Sequence, residues 1–527
     1  MKLHLRFTTT TLLAASLLLG ACSEDFLDRP PQGQLVTDNF YQSASDLRLA
    51  TAGLYGRPWF DFNYPFLLDV GDVMAGNAYA SWNPRSSYVN FSVSAGDNGV
   101  LYGWSSLYNV IGQANTAINN IRALTPASVP EATKNAALAE ARFMRAVAYF
   151  YLVRLWGPVP IIENNSALVE KPMVPRHQLT DVYRFILEDL QFAADNLPTT
   201  DTPGRVTSWG AKGMLAKVYL TKAGIGQSGS RNQDDLNKAK QYAGEVMTNS
   251  GLALMPSYYD LFLRKNKNNS ESLFALQWIA NQGWGNQNVY QAYLGADSKI
   301  TGVGDGWNNI SPTLDLYNAF EPGDDVRRKA TMMLNTDEYP ELTTADNPKG
   351  YTMTAPTPSF KKYVIGGPTA PGNDGQVSVL NTDINTYILR LADVYLIYAE
   401  AILGNSASTT NTDALAAFNK VRTRAGLAAL TSLDLDQIMR ERRAEFGLEG
   451  QYWFDLSRLH DYNPAVANTM IAKQHRNTFT YTPAASPSIE ETPIQVTATD
   501  RSYVLPYPNA EQIANPKLNE PAVAYYQ

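Results

Sequence analysis

Apolar residues recur with helical spacing in several long segments of the chain. The segment 138–156, LAEARFMRAVAYFYLVRLW, is rich in helix formers and ends before Gly157-Pro158, a pair typical of a helix C-terminus. The stretches LAKVYLTKA (215–223) and LADVYLIYA (391–399) share Leu, Ala, Val, Tyr, Leu and Ala at equivalent positions. This self-similarity predicts a helical repeat.

The spacing of the repeat indicates helical hairpins. Tyr151-Leu152 precedes Tyr219-Leu220 by 68 residues, which is twice the period of about 34 residues expected of tetratricopeptide-type units. Each of the three segments is followed by a second amphipathic segment, and a weaker pair lies upstream. We therefore expect a mainly α fold, a tetratricopeptide-like scaffold of about four hairpins. The predicted second helices are 181–196, 234–248 and 413–424, and the weaker pair is 46–56 with 104–122.

A long segment interrupts the repeat. Residues 250–385 are rich in turn formers and aromatic residues, with one strand-like run, SLFALQWIA, at 272–280. We interpret this segment as a large, loop-rich mixed insert, and loops on a rigid scaffold are where binding sites are commonly found. The predicted organisation is a single domain over 46–527, with the scaffold at 46–249 and 386–460, the insert at 250–385 and a C-terminal extension at 461–527.

The N-terminal residues have the pattern of a secretory signal. Lys2 and Arg6 precede an apolar run at 12–19, which is shorter than the ~20 residues of a membrane-spanning helix. Cys22 follows as the only cysteine among the 527 residues, so a disulfide is excluded. Leu19-Gly20-Ala21-Cys22 resembles a bacterial lipobox, which implies removal of residues 1–21, acylation of Cys22 and a lipidated linker at 22–45. The alternative is an ordinary signal peptide with an incidental cysteine.

The composition of the chain disfavours nucleic-acid binding and histidine-based metal or catalytic sites. The chain is 44% hydrophobic and 18% charged, as in a globular protein, and its net charge of −7 disfavours nucleic acid as a partner. Loss of the signal segment would leave 41 basic and 50 acidic residues. His177, His460 and His475 lack the spacing of a helical metal site or a histidine triad, so no metal or cofactor is predicted. A structural calcium ion at GDG (304–306) or NDG (373–375) has no support beyond two Asp-Gly turns, which are usually only turns.

Four stretches, taken in order, resemble the SusD/RagB family of outer-membrane lipoproteins from glycan-degrading bacteria. The C-terminal YVLPYPNAEQIANPKL (503–518) is similar to the end of that family, but Tyr507 stands where an apolar residue is more usual and a final Asn-Pro-Gly-Tyr is missing. The four stretches are CSEDFLDRPPQG (22–33), AEARFMRAVAYFYLVRLWGPVPII (139–162), NTYILRLADVYLIYAEAIL (385–403) and RERRAEFGLEGQYWFDLSRL (440–459).

The resemblance implies a function and a location. It implies a protein without catalytic activity that captures oligosaccharide or polysaccharide and delivers it to a SusC-like TonB-dependent transporter. It also implies a lipid anchor in the outer membrane, facing the cell exterior, with Ser23-Glu24-Asp25 resembling the family's export signal. The same family has four tetratricopeptide-like hairpins that support a loop-rich region.

Sugar rings present apolar C–H faces with hydroxyl groups at the rim, so a glycan site requires exposed aromatic rings flanked by polar side chains. The strongest candidates are Trp82 and Trp307, because both lie in polar, turn-rich stretches. The alternative for each is a loop tryptophan that packs inward and pins its own loop. The predicted polar partners are Asp72, Asn77, Arg85 and Asn308, and a third aromatic group is Trp284 with Tyr290. Five tryptophans with apolar neighbours are assigned to the core, and Trp59 is a weaker candidate: the five are Trp104, Trp156, Trp209, Trp278 and Trp453.

The charged run Arg440 to Glu445 invites a catalytic interpretation. Glu441 and Glu445 are four residues apart on a predicted helix with arginines between them, which favours an ion-pair network. Two other function classes remain open. A surface glycoside hydrolase needs two carboxylates about 5–9.5 Å apart, and a tetratricopeptide-type stack can serve as a protein-interaction scaffold.

Overall fold

The computed structural model describes residues 40–80, 85–483 and 488–526. The predicted signal segment and Cys22 lie outside these residues, as does Trp82. The described part of the chain contains eleven helices of nine residues or more. They are α1 Ala44–Ala52, α2 Asn98–Leu124, α3 Glu131–Trp156, α4 Leu179–Asn196, α5 Ser208–Lys222, α6 Gln233–Asn249, α7 Leu391–Leu403, α8 Thr412–Arg424, α9 Leu435–Phe446, α10 Tyr452–His460 and α11 Pro464–Ala472.

Local sequence signals set several helix ends. Ser43 and Asp46 form a capping box at the start of α1, and Asp97 accepts the backbone N–H groups of residues 99 and 100 at the start of α2. The helix α3 ends at Gly157, which has a φ of 71°, a conformation that glycine adopts at little cost.

The helices pack as a stack of antiparallel pairs, and the mainly α, hairpin-based fold is confirmed. The pairs α3/α4, α5/α6 and α7/α8 are the three hairpins predicted from the repeat, and neighbouring pairs contact each other through α4 with α5 and through α6 with α7. The weaker upstream pair is present as α1 and α2, but α1 packs on α3 as well as on α2. Helix α3 is buried on nearly all sides over its second half, as expected of a helix at the centre of the stack.

A close contact joins the scaffold to the insert. The strands Ser272–Leu276 and Thr386–Arg390 pair antiparallel at the beginning and end of the insert. Helix α5 lies against this pair at Gly210, where a Cβ atom would stand 2.8 Å from the carbonyl oxygen of Leu273. The strand predicted at 272–280 therefore forms over its first five residues, and a glycine permits the helix to approach it.

Apart from the eleven long helices and the strand pair just described, the elements are short and joined by loops. Five further two-stranded antiparallel pairs occur among the described residues. They are Ala78–Tyr79 with Ser311–Pro312, Met332–Met333 with Ser359–Phe360, Glu338–Tyr339 with Tyr351–Thr352, Ser408–Thr409 with Leu433–Asp434, and Thr480–Thr482 with Ser488–Glu490. Short helices are Ser86–Val89, Ala167–Glu170, Tyr290–Leu294, Ser298–Thr301, Leu314–Ala319, Asp325–Thr331 and Asn509–Ala514.

The charged run at 440–445 forms the predicted ion-pair network, except for Arg440, whose side chain is exposed. The carboxylate of Glu445 is fully buried and pairs with Arg390 at 3.0 Å, with Arg424 and with Arg327. Burial alone would raise the pKa of Glu445, but the three arginines lower it to about 2. Because Arg390 lies on a strand of the insert, these pairs hold α9 against that region.

No helix in the described ranges combines the length and the apolar character needed to cross a membrane.

Candidate functional site

Two exposed tryptophans are joined by a continuous row of aromatic rings, which we call the aromatic row: Trp284, Phe60, Tyr64, Tyr293 and Trp307. The indole groups at the two ends are 58% and 42% exposed. Successive ring centroids are separated by 5.2, 5.9, 5.1 and 5.1 Å, so the two indoles are at most about 21 Å apart. The row therefore presents two indole surfaces on one support.

The Trp307 end of the row is held by its backbone. The N–H of Trp307 donates to the carbonyl of Ala292 at 2.8 Å. Gly306 has a φ of 100°, and a Cβ atom there would lie 2.5 Å from the carbonyl oxygen of Asp297. The side-chain oxygen of Asn308 accepts hydrogen bonds from the hydroxyls of Ser311 and Ser359 at 3.2 and 3.0 Å. These contacts fix the loop so that the indole of Trp307 projects from the surface.

The Trp284 end is a tight loop. Both neighbouring glycines have positive φ values, 84° for Gly283 and 94° for Gly285. The buried side chain of Gln287 accepts the N–H groups of Gly285 and Asn286 at 2.9 and 3.1 Å. The glycine-flanked tip is therefore tied to the body of the protein, and its indole rests edge-on against Phe60.

The middle of the row is supported by a hydrogen bond between two of its tyrosines and by a buried ion pair. The hydroxyls of Tyr64 and Tyr293 are hydrogen-bonded to each other. Burial, with the neighbouring Tyr293 hydroxyl, raises the pKa of Tyr64 far above its ordinary value, so this phenol stays protonated. The guanidinium of Arg85 lies 5.5 Å from the centre of the Tyr293 ring and pairs with Asp69 at 3.2 Å. Burial raises the pKa of Asp69 to about 7, although Arg85 opposes the shift.

Four predicted contact residues are buried, and the prediction that they touch a ligand is wrong: they are Asp72, Asn77, Tyr290 and Arg85. The carboxylate of Asp72 accepts the N–H groups of Leu448 and Gly450 at 2.9 and 2.8 Å and the side-chain amide of Asn77 at 3.0 Å. Asn77 in turn accepts from Arg443, and the hydroxyl of Tyr290 donates to the carbonyl of Asn63. The exposed fractions of Asp72, Asn77 and Tyr290 are 0%, 0% and 1%. Their polar groups serve as internal ties between distant segments.

Two of the remaining candidates, Arg85 and Asn308, lie at the row. Arg85 is 4% exposed and supports a ring instead of facing solvent. Asn308 is half-buried, with its oxygen used to hold the Trp307 loop. Trp82 lies outside the described residues, in the gap between Ala80 and Arg85, and stays a prediction. Trp59 is fully buried, and its indole N–H donates to the carbonyl of Leu54.

The rings that connect the two tryptophans were not singled out from the sequence. Phe60 and Tyr64 belong to the run WFDFNYPF, and Tyr293 follows Tyr290 by three residues. The high density of aromatic residues in both stretches is visible in the sequence and could have indicated a role in binding. The contact between the two stretches, across more than 200 residues of chain, could not be predicted, because no local pattern encodes it.

Among the described residues, no group of three or more histidine, cysteine, aspartate or glutamate side chains could hold a metal ion. The side chain of Asp305, in the first Asp-Gly turn, is buried and accepts the N–H of Leu380 at 2.8 Å. Asp374, in the second, pairs with Arg264 at 3.3 Å. Both carboxylates contact groups of the protein itself.

Comparisons with known proteins cover both halves of the chain. Residues 270–525 match a model described as the SusD family, and residues 25–220 match one described as starch-binding, associating with the outer membrane. A SusD-like protein from Bacteroides ovatus is 41% identical over 549 residues, which is 100% of this chain and 99% of that protein. SusD-like protein P2 from Formosa agariphila is 28% identical over 545 residues, covering 96% of this chain and 97% of its own.

The fold is also similar to solved structures. One is a crystal structure of a protein with xylogluco-oligosaccharide. It is 39% identical, with a TM-score of 0.85, and the match covers 91% of this chain and 99% of that one.

Proposed function

This chain belongs to the SusD family, and from that premise we propose that it is a cell-surface glycan-binding lipoprotein whose ligand lies along the aromatic row. The observation that carries the proposal is the row itself: two exposed indoles at the ends of a supported series of rings. Aromatic rings of this kind offer flat apolar faces to sugar rings, while their polar edges remain hydrated. Trp82, which the sequence places in a polar, turn-rich stretch, is proposed as a third contact.

The proposed ligand class is a neutral plant-type glucan such as xyloglucan. The solved relative with xylogluco-oligosaccharide supports this choice because it is 39% identical over nearly the whole chain. At the Trp307 end of the row, the guanidinium of Arg85 beside Tyr293 is already paired with Asp69, so it does not attract an acidic sugar as an unpaired cation would.

We propose that the bound glycan is not cleaved. Glycoside hydrolysis requires two carboxylates that flank the scissile bond about 5–9.5 Å apart. Close to the row, Asp69 is buried and paired with Arg85, so it is not placed to act on a bound glycan. Incubation with the bound glycan should release no new reducing ends, and their appearance would favour the hydrolase alternative.

The proposed path of the glycan continues into a SusC-like TonB-dependent transporter of the outer membrane, to which the chain would be held by acyl groups on Cys22. Support comes from the lipobox-like Leu19-Gly20-Ala21-Cys22 and from the family model described as associating with the outer membrane. Mass spectrometry of the protein from membranes should find an acylated Cys22 at the mature N-terminus. Affinity purification from the native host should recover the transporter. An unmodified Cys22 together with no recovered transporter would contradict the proposed anchor and the proposed partner.

Glycan binding is tested by calorimetry on the chain that begins after Cys22, with a panel of neutral and acidic polysaccharides. We expect binding to xyloglucan or a related neutral glucan, and strong loss of that binding in Trp307→Ala. Tyr102→Ala is a matched control, because Tyr102 is 50% exposed on α2 and is not part of the row. Absence of binding to every glycan, or equal effects of the two variants, would contradict the proposal.

A further inference from the structure

A separate cleft of about 290 Å³ lies where the helical scaffold meets the first strand of the insert. It is bordered by the loop 199–205 between α4 and α5, by the start of α5, and by residues 268–277. We propose that this cleft is a second saccharide subsite, which holds one neutral sugar residue of a polysaccharide already bound at the aromatic row. The inference rests on the proposed function and extends it to a second contact region.

The aromatic face of the cleft is Trp209. The apolar pattern of the sequence assigned this residue to the core, but the structure leaves its side chain half-buried and lining the cleft. The Nζ atom of Lys212 lies 5.1 Å from the centre of the indole and pairs with Glu245 at 2.7 Å. The indole is therefore held in place by a neighbouring ion pair while part of its surface remains accessible.

Two amide side chains form a fixed polar wall. Asn268 and Gln277 exchange hydrogen bonds in both directions, each at 3.0 Å. Gly204, with a φ of 95°, lies directly on this pair, and a Cβ atom there would be 2.9 Å from both amides. Asn385 also donates to both amide oxygens at 3.0 Å, and the Gln277 amide nitrogen donates to the carbonyl of Ala275. The second N–H of the Asn268 amide is therefore the donor of this pair that is left for a ligand, and its position is fixed before binding.

The side-chain hydroxyl of Thr207 is also available to a ligand. Thr207 occupies the N-cap position of α5, where a threonine usually accepts a hydrogen bond from the backbone of the first turn. Its side chain makes no such bond, and Thr207 lines the cleft. The hydroxyl can therefore donate to or accept from a ligand.

The cleft carries little net charge. Asp201 pairs with Arg48 at 2.6 Å, and Arg205 pairs with Glu140 at 2.8 Å. An indole face with uncharged amide and hydroxyl groups matches the apolar face and hydroxyl rim of a neutral sugar. The volume is near the lower end of the range of about 300–1,000 Å³ for ligand sites, which suits one sugar residue better than a long oligosaccharide.

The cleft and the row are neighbours. Gln277 lines the cleft, and the next residue, Trp278, packs against Phe60 of the row with ring centroids 6.3 Å apart. A polysaccharide that extends beyond the row would therefore have sugar residues within reach of the cleft. A second weak contact to the same chain increases the overall affinity because it is intramolecular.

The experiment compares a xyloglucan polysaccharide with a short xylogluco-oligosaccharide on the chain that begins after Cys22. In Trp209→Ala we expect the affinity for the polysaccharide to fall about 10-fold or more, while the affinity for the oligosaccharide changes little. Trp307→Ala should weaken binding of both ligands. Equal polysaccharide affinity in wild type and Trp209→Ala, with Trp307→Ala still impaired, would overturn the second subsite alone. Absence of binding by the wild type would instead overturn the proposed function.

A direct readout covers the case in which Trp209→Ala does not fold. The protein is labelled with 5-fluorotryptophan, and the Trp209 resonance is assigned from Trp209→Phe. Polysaccharide added to the wild type should shift this resonance, and Thr207→Val should reduce the shift. A Trp209 resonance that stays unchanged while the Trp307 resonance moves would contradict the proposal.

Discussion

The indole of Trp307 stands edge-on to the phenol ring of Tyr293, with their centroids 5.1 Å apart and their planes at 89°. Tyr293 is almost completely buried, whereas Trp307 is 42% exposed. The buried ring thus supports the exposed one. Edge-to-face pairs of this type contribute about 0.5–1.5 kcal/mol beyond the area that they bury, enough to favour one orientation of the indole.

This support predicts a graded effect of substitutions at Tyr293. Tyr293→Phe keeps the ring and removes only the hydroxyl bonded to Tyr64, so glycan affinity should change little. Tyr293→Ala removes the ring beneath Trp307, and the affinity should fall nearly as far as in Trp307→Ala. Calorimetry with the bound glucan measures both variants, and a circular dichroism melt checks that each is folded. Equal affinities for Tyr293→Ala and Tyr293→Phe would contradict the supporting role.

Trp284 lies at the far end of the row, so the effect of its substitution on glycan affinity should depend on the length of the oligosaccharide. Trp284→Ala should weaken binding of an oligosaccharide long enough to span the row by about 10-fold, equivalent to about 1.4 kcal/mol. A disaccharide bound at Trp307 should be unaffected, because it does not reach Trp284. A titration series with oligosaccharides of increasing length measures the effect. A loss that is the same at every length would mean that the two indoles do not share one ligand.

The buried network around Glu445 predicts a large stability effect without an effect on binding. Glu445→Gln leaves Arg390 and Arg424 with one carboxylate fewer, and breaking a buried pair costs about 3–5 kcal/mol in free energy of unfolding. Glu245→Gln is the matched control: its pair with Lys212 is partly exposed, and such pairs contribute about 1 kcal/mol or less. Urea denaturation measures both variants. Similar unfolding midpoints for the two would show that the buried network does not stabilise the fold.

The buried carboxylate of Asp461 should make the stability of the folded protein depend on pH. Burial raises its pKa from the ordinary value of 3.8 to about 7, so the folded state favours the protonated form and is destabilised as the pH rises from 3.8 towards 7. Asp461→Asn imitates the protonated form and should stabilise the protein. The gain should be larger at pH 8.5 than at pH 5.5 by about 2 kcal/mol.

Unfolding of wild type and Asp461→Asn at the two pH values measures this difference. A gain that is equal at both values, or larger at pH 5.5, would show that the pKa of Asp461 is not raised in the folded protein.

The helical scaffold could be predicted from local signals. Segment 138–156 ends as predicted, because Gly157 and Pro158 terminate a helix whatever surrounds it. Its start is missed by seven residues, since EATKNAA at 131–137 lacks the apolar periodicity of the remainder. Apolar spacing therefore locates the buried part of a helix better than its solvated first turns.

The candidate site was predicted only in part. Trp284 and Trp307 are exposed, as a binding role requires, because polar, glycine-rich stretches keep their side chains out of the core. Asp72 lies instead in the mainly apolar stretch FLLDVGDVMA at 66–75, and its partners are Leu448 and Gly450, more than 370 residues away. The apolar neighbours of Asp72 indicate burial, but which distant segment its carboxylate would hold is a contact that no local pattern specifies.

The proposed binding mode places one glycan along the row from Trp307 to Trp284. A crystal structure of the protein with a xylogluco-oligosaccharide is the decisive experiment. We expect sugar rings against the Trp307 indole, with the glycan running past Tyr64 and Tyr293 towards Trp284. Ligand bound elsewhere on the surface, with both indoles free of sugar, would contradict it.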